Sequence, residues 1–243
     1  MGQSNTKKKK RAVYIPPAKQ KKGNGALIWL TIALAFIAVV IVLGINNSSK
    51  NASKPYAFEY SELPRLGQED APVKIVEFGD YQCPACKNFS ETVKPSLVKD
   101  YIDTGKVSLY FANYAFIGED SETAAIAAES VYRQNPEAFW AYNDALYANQ
   151  GEENKGWVTP DTLVQIAKDA KIDVDYDKLL SDINAGAGRD KIAEYSKLAE
   201  FTLRVGGTPA VLIDGKQVKF NSYNDIKAAI ESKLNPPTPK ENG

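Results

Sequence analysis

The sequence of 243 residues contains no histidine and only two cysteines, Cys83 and Cys86, which lie three positions apart. A structural zinc site takes four cysteine or histidine ligands, so this chain has too few to build one. A framework of disulfides needs several cysteines spread along the chain, and a bridge across so short a loop restricts the unfolded chain very little. The two thiols are therefore either a redox pair or two inert side chains.

Charge is unevenly distributed, although 30 basic and 30 acidic residues give a net charge of zero. Residues 1–25 hold eight lysine and arginine residues and no acidic residue, which leaves the rest of the chain with a net charge of −8. Because the basic block is confined to one end, it does not make the whole chain a nucleic-acid binder, and we expect no nucleic-acid partner.

Residues 26–45 form an apolar run without a charged residue. At 1.5 Å per residue a helix of this length spans roughly 30 Å, the thickness of the hydrocarbon core of a bilayer. The run is longer than the apolar core of a signal peptide, and no small-residue cleavage pattern follows it. It is predicted to be an uncleaved transmembrane anchor, with residues 1–25 in the cytoplasm and the rest outside. A cleaved signal peptide is the alternative, and residues 46–67 are predicted to be a linker.

The exported part begins with a pattern of strand, helix and strand. Residues 73–78 and 107–112 are rich in β-branched and aromatic residues, which is typical of strands. Between them an apolar stripe with a spacing of four residues predicts a helix that starts near Cys83 and is kinked at Pro95. The order predicts a parallel βαβ unit.

The rest of the chain is predicted to be helical and then to return to strands. Apolar periodicity indicates several helices between residues 121 and 205, the last of which ends at Gly206-Gly207. Residues 210–213 and 218–220 flank Asp214-Gly215, a strong signal for a β-hairpin. A closing helix covers residues 223–234, and residues 235–243 are predicted to be a disordered tail.

The CPAC motif at residues 83–86 has the features of a redox centre. The thiolate is the reactive form of cysteine, and the N-terminus of a helix lowers the pKa of Cys83 because its free N–H groups and its dipole favour an anion. Pro84 suits the first helical turn, where its missing N–H costs nothing. Cys86 follows on the same side of the helix. We therefore expect Cys83 to form the mixed disulfide with a partner protein and Cys86 to resolve it.

The chain resembles the DsbA-like thiol oxidoreductases of the thioredoxin superfamily, and most closely the BdbD-type members of Gram-positive bacteria. The resemblance rests on residues 76–82 leading into CPAC, on Phe139-Trp140 and on residues 206–210. It implies an α/β fold, thioredoxin-like, with an inserted helical domain. The implied division is residues 68–116 for the first thioredoxin-like part, 117–205 for the insertion and 206–234 for the second part.

The resemblance also implies roles for further residues. Pro209 is expected to follow a cis peptide bond beside the disulfide, and Thr208 to offer its backbone to an extended substrate segment. Glu77 is expected to handle the proton of Cys86 or to tune the potential of the pair. The alternatives are an ordinary trans proline in a turn and an exposed strand residue. DsbA itself has Pro-His between its cysteines, whereas this chain has Pro84-Ala85, so the helix N-terminus has to hold more of the thiolate charge.

The function implied is an extracytoplasmic, membrane-anchored oxidoreductase that introduces disulfides into exported proteins. Its substrates are unfolded proteins with cysteines, and a quinone-linked membrane protein of the DsbB type reoxidises it. A monomer is expected, with no cofactor beyond the Cys83–Cys86 pair. Two alternatives are a reductase or isomerase of low potential with the same fold, and an anchored chaperone or binding module.

An acidic stretch at Asp173, Asp175 and Asp177 resembles the start of a calcium loop. An EF-hand requires glycine at its sixth position and glutamate at its twelfth, where this chain has Lys178 and Asn184. We therefore interpret the aspartates as a solvated helix start. A structural calcium site assembled from acidic residues distant in the sequence is the alternative.

Overall fold

The computed structural model describes residues 54–236, together with the single residue Ile37. Within residues 54–236 the strands are β1 (Arg65–Leu66), β2 (Val73–Gly79), β3 (Val107–Asn113), β4 (Ala210–Ile213) and β5 (Lys216–Val218). The α-helices are α1 (Pro84–Asn88), α2 (Lys94–Leu97), α3 (Glu119–Gln134), α4 (Phe139–Ala148), α5 (Pro160–Asp169), α6 (Tyr176–Ala185), α7 (Arg189–Lys197) and α8 (Tyr223–Leu234). Short 3-10 helices cover Tyr60–Glu62 and Pro136–Ala138, and π-helical stretches cover Phe89–Val93, Val98–Ile102 and Leu198–Leu203.

The strands form one mixed sheet in the order β1-β3-β2-β4-β5. Strands β2 and β3 pair in parallel, whereas β1, β4 and β5 each join antiparallel. The parallel βαβ unit predicted from the sequence is therefore confirmed. Its strands are recognisable because a parallel pair at the centre of a sheet is buried on both faces and carries apolar residues at most positions.

Two apolar clusters cover the two faces of the sheet. Val73 and Ile75 contribute to a cluster that contains both cysteines, Phe111 and the inner faces of helices α3 to α6. Val76 and Phe78 contribute to the opposite cluster, with Phe58, Tyr195 and Leu212. Side chains alternate along a strand, so Glu77 lies on the same face of β2 as Ile75, toward the cysteines.

The helix after the CPAC motif is continuous but irregular. Helix α1 passes into the π-helical stretch Phe89–Val93, and Pro95 follows in the first turn of α2. Proline removes one backbone hydrogen bond, and wider π turns on both sides of α2 accommodate this loss. At the position of the kink predicted at Pro95, the helix therefore changes between α-helical and π-helical geometry.

Three predicted boundaries differ from the structure. The last helix of the insertion ends at Arg204, which adopts a left-handed conformation, before Gly206-Gly207. Strand β5 covers Lys216–Val218 and not residues 218–220, because the two-residue turn Asp214-Gly215 leads directly into it. The prediction that residues 46–67 form a linker is corrected for its second half. Phe58 and Leu63 are buried, and β1 pairs with β3.

The predicted cytoplasmic block at residues 1–25 lies outside the described residues, as does the predicted anchor at residues 26–45 apart from Ile37. Of the predicted tail, residues 237–243 also lie outside them. Among the helices that the structure does describe, none has both the length and the apolar character needed to span a membrane.

Candidate active site

The CPAC motif forms the start of helix α1, as predicted. Cys83 is the N-cap residue, with extended backbone angles of φ −79° and ψ 117°, and Pro84 lies in the first turn. The Cys83 carbonyl accepts hydrogen bonds from the N–H groups of Cys86 at 3.1 Å and Lys87 at 3.2 Å. Both cysteines are free thiols. Cys83 is 8% exposed and Cys86 is fully buried, whereas Pro84 and Ala85 between them are exposed.

The pKa values of the two thiols are shifted in opposite directions. A hydrogen bond from the Cys86 thiol is the largest influence on Cys83 and outweighs burial, and contacts with the Thr208 side chain and nearby backbone N–H groups act in the same direction. Together they lower the pKa of Cys83 from 9.0 to about 6. Burial raises the pKa of Cys86 well above its usual value. At neutral pH Cys83 is therefore a thiolate and Cys86 a thiol, which is the arrangement that an attacking and a resolving cysteine require.

The loop before β4 lies against the Cys83 sulfur. The Thr208–Pro209 peptide bond is cis, so the alternative of an ordinary trans proline is wrong. The Cys83 sulfur lies 3.3 Å from the Thr208 carbonyl oxygen, which accepts a hydrogen bond from Cys83 when this thiol is protonated. A groove of about 270 Å³ opens beside this contact, and its lining includes Ala85, Pro209 and Phe220. The groove lies beside the CPAC motif, since Ala85 is part of its lining.

Glu77 is buried beneath the cysteines. It is 2% exposed, so the alternative that it is an exposed strand residue is wrong. Its Oε1 atom has no hydrogen-bond partner within residues 54–236. Burial is the largest influence on this carboxyl; Lys94 opposes it, whereas Asp144 and Cys83 reinforce it, and the pKa of Glu77 rises to about 8. Glu77 is therefore largely protonated at neutral pH and is able to exchange a proton there.

Lys94 is a buried charge that the sequence did not identify. Its ammonium group forms an ion pair with Asp144 and lies 3.4 Å from Asn143 Oδ1 and 5.1 Å from the centre of the Trp140 ring. The lysine comes from α2, whereas its partners come from α4 in the helical insertion. The pair stabilises a positive charge near Glu77, where an unpaired buried ammonium would be costly.

Comparisons with known proteins identify the family of this chain. The family model described as thioredoxin matches residues 61–232. A Bacillus cereus protein named "Probable disulfide bond formation protein D" is 39% identical over 204 residues, which cover 82% of this chain and 93% of that protein. The chain belongs to the DsbA-like thiol-disulfide oxidoreductases of the thioredoxin superfamily. This assignment confirms the resemblance, the thioredoxin-like fold with its helical insertion and the enzyme class.

Solved structures agree with this family. The crystal structure of oxidised BdbD from Bacillus subtilis is similar with a TM-score of 0.69 and 34% identity, and covers 74% of this chain and 96% of that one. The structure of DsbA from Chlamydia trachomatis is similar with a TM-score of 0.64 and 26% identity, and covers 74% and 94% of the two chains.

Two further side chains in this DsbA-like oxidoreductase hold the loop that leads to Cys83. The buried Asp80 carboxylate accepts hydrogen bonds from the N–H groups of Gln82 at 2.9 Å, Phe116 at 3.0 Å and Ile117 at 3.2 Å. From the insertion, Gln150 Nε2 donates to the carbonyl of Tyr81 at 2.7 Å and to that of Cys83 at 3.1 Å. The carboxylate thus holds the loop against the segment after β3, and the amide holds it against the helical insertion.

The sequence contained only a weak signal for these residues. Asp80 stands directly after a buried strand, where a short acidic residue is typical of a turn. Gln150 follows α4 in a polar segment without any recognisable motif. Their roles depend on contacts 36 to 69 residues apart in the chain, which a local pattern does not reveal.

The acidic stretch predicted to start a helix does so. Asp175 is the N-cap residue of α6, and its side chain accepts a hydrogen bond from the Lys178 N–H at 2.9 Å. Across the described part of the chain, no three acidic or cysteine side chains come close enough together to hold a metal ion.

Proposed function

We propose that this oxidoreductase acts as an oxidase, which passes its Cys83–Cys86 disulfide to reduced substrate proteins. The observation that carries the proposal is that the pKa of Cys83 is lowered whereas the pKa of Cys86 is raised. A reduced form stabilised by a Cys83 thiolate makes the disulfide easy to reduce, and such a disulfide is a strong oxidant. The chemistry uses the two sulfur atoms and requires no bound cofactor.

The reaction proceeds in two exchanges. A substrate thiolate attacks Cys83 Sγ, the Cys83–Cys86 bond breaks, and Cys86 leaves as a buried thiolate that takes a proton from Glu77. A second substrate thiolate then attacks the substrate sulfur of the mixed disulfide and releases Cys83 as a thiolate. Two electrons pass from the substrate to the enzyme, whose pair becomes reduced. Thr208 offers its backbone to the substrate segment, and Pro209 and the neighbouring groove receive the flanking residues.

The proposed setting is the outer face of a membrane. Residues 26–45 would anchor the chain, and the basic residues 1–25 would remain in the cytoplasm. Exported proteins with cysteines are the proposed substrates, because disulfides persist in such compartments. A quinone-linked membrane protein of the DsbB type would reoxidise the pair. We propose that the chain is a monomer and has no nucleic-acid partner.

The reduction potential of the Cys83–Cys86 pair distinguishes the oxidase from the reductase. We expect the full chain, equilibrated with glutathione buffers, to have a potential above about −180 mV, the range of disulfide-forming proteins. Mass spectrometry after alkylation counts the free thiols at each ratio. A centre that stays oxidised in a mildly reducing buffer would instead identify a reductase or isomerase. Client binding without any thiol exchange would identify a chaperone.

The pH dependence of the Cys83 thiol provides a second test. We expect its alkylation rate to follow a single titration with a midpoint near pH 6. Because the pKa in the folded protein lies below the ordinary value of 9.0, ionisation stabilises the folded, reduced form increasingly from about pH 6 to pH 9. This gain is lost as the pH falls through about 6. The oxidised protein, which has no thiolate, is the matched control in denaturant titrations. A midpoint near pH 9 would contradict the assignment.

A further inference from the structure

Tyr147 has a buried hydroxyl group without a hydrogen-bond partner. The residue lies on α4 and is 1% exposed, and within residues 54–236 nothing bonds its oxygen. Buried tyrosine hydroxyls normally have a partner. Tyr142, on the same helix, donates to the Leu163 carbonyl at 3.0 Å, and the hydroxyl of Tyr81 accepts from Asn143 at 3.1 Å. The Tyr147 hydroxyl is thus an exception among the buried tyrosines near the site.

The Tyr147 hydroxyl lies over Gly79, in the space where a side chain of β2 would stand. A Cβ atom at Gly79 would be 2.9 Å from this oxygen and 2.6 Å from the Phe111 ring, so only glycine leaves room for it. Glu77 stands two residues earlier on β2, and residues two apart along a strand point to the same face. The hydroxyl and the Glu77 carboxyl therefore lie on the same face of the sheet, close enough to interact electrostatically.

Few hydrogen-bond donors are available to stabilise a negative charge on Glu77. Its Oε1 atom is buried without a partner. Of the titratable groups that act on it, Lys94 alone carries a positive charge, and Asp144 and Asn143 already bind that ammonium. The other groups that interact with Glu77 electrostatically are acidic: Asp144, Cys83, Cys86, Tyr81 and Tyr147. A carboxylate formed here needs a neutral donor, and Tyr147 carries one on the same face of the sheet.

We propose that Tyr147 is a positioning residue, which donates its hydroxyl hydrogen bond to the Glu77 carboxylate once Glu77 has passed its proton to Cys86 Sγ. The inference rests on the role of Glu77 in the proposed function. One proton moves, from the carboxyl to the thiolate released when the disulfide breaks. Tyr147 keeps its own proton, because burial raises the pKa of its hydroxyl well above 10.0. The hydrogen bond makes Glu77 a better acid when Cys86 leaves.

Replacing Tyr147 with phenylalanine tests this role, because the ring remains and no existing hydrogen bond is lost. The rate at which a small dithiol reduces the oxidised full chain is measured from pH 5 to pH 10. At each pH the rate is divided by the concentration of ionised dithiol. We expect Tyr147→Phe to lower this rate about tenfold at pH 7 and to raise the midpoint of its alkaline decline by about one unit, the size of one hydrogen bond to a charged group.

The controls separate this inference from the role of Glu77. Tyr142→Phe removes a hydrogen bond from the same helix and should leave the pH profile unchanged. Glu77→Gln should remove the alkaline decline, and Glu77→Gln combined with Tyr147→Phe should match Glu77→Gln alone. An unchanged midpoint in Tyr147→Phe, or additive losses in the double variant, would overturn the inference while the Glu77 role stands. An unchanged profile in Glu77→Gln would refute the Glu77 role itself.

Discussion

Replacing Cys83 with alanine is expected to lower the rate of disulfide formation in a reduced, unfolded substrate on the order of 10³-fold or more, because the variant cannot form the disulfide that the substrate thiolate attacks. Cys83 and Cys86 are the only cysteines in the chain, so no other thiol can replace the lost one. Cys86 is fully buried and its thiol is held in the protonated form, so it cannot reach or attack a protein substrate. The oxidised wild-type chain and the variant are compared by thiol counting over time.

The matched variant Cys86→Ala has a different expected result. It keeps Cys83, whose pKa rises because the hydrogen bond from the Cys86 thiol is lost, and it cannot resolve a mixed disulfide. A covalent adduct with a disulfide-containing substrate should therefore accumulate and disappear on reduction. Non-reducing electrophoresis detects the adduct. If the adduct forms with Cys83→Ala and not with Cys86→Ala, the two roles are reversed. If Cys83→Ala forms disulfides at the wild-type rate, the thiols are not the reactive centre.

Replacing Asp80 with alanine is expected to reduce the free energy of unfolding by about 2–4 kcal/mol, because three backbone N–H groups lose their common acceptor. These are the N–H groups of Gln82, Phe116 and Ile117, which lie in the loop before Cys83 and in the segment after β3. A buried polar network of this kind contributes more to the free energy of unfolding than an exposed aspartate does, because water does not easily replace a buried hydrogen-bond partner. Urea denaturation of the reduced protein measures the change.

Asp103 is the matched control for Asp80. It is exposed, and within the described part of the chain its side chain makes no hydrogen bond or ion pair, so Asp103→Ala should change the free energy of unfolding by no more than about 0.5 kcal/mol. The pKa of Cys83 should also rise in Asp80→Ala, because the loop no longer holds the sulfur at the helix N-terminus. Equal stabilities for the two variants would show that the Asp80 network contributes little.

Local patterns in the sequence were sufficient for the elements that surround the thiols. The apolar runs at β2 and β3, the proline in the first turn after Cys83 and the Asp214-Gly215 turn each depend on residues that are close in the chain. The start of α5 likewise depends on neighbouring residues: Thr159 accepts a hydrogen bond from the Thr162 N–H at 3.1 Å, and Pro160 begins the helix. Short β1 was missed, because two residues are too few to show a period.

The burial of Glu77 shows where local patterns fail. Its neighbours in the sequence identify a strand, but they do not say what covers each face. The inner face of β2 is covered by α4, which begins 62 positions further along the chain, so the environment of the carboxyl is a property of the fold. Lys94 and Tyr147 are similar cases. In a helical pattern a lysine normally suggests a solvated face and a tyrosine a core position, so neither residue indicates that it lies near Glu77.

The sequence by itself predicted that Cys83 and Cys86 are a redox pair at the start of a helix. The absence of other thiols and of histidine excludes a zinc site and a disulfide framework, and the CPAC motif at a helix start favours a redox pair over two inert side chains. The tertiary structure decided which side chains surround the two thiols. The Thr208 loop and Glu77 act on the two sulfur atoms, and Lys94 and Tyr147 act on Glu77, all from separate parts of the chain. Desolvation and hydrogen bonding depend on distance in space and not along the sequence.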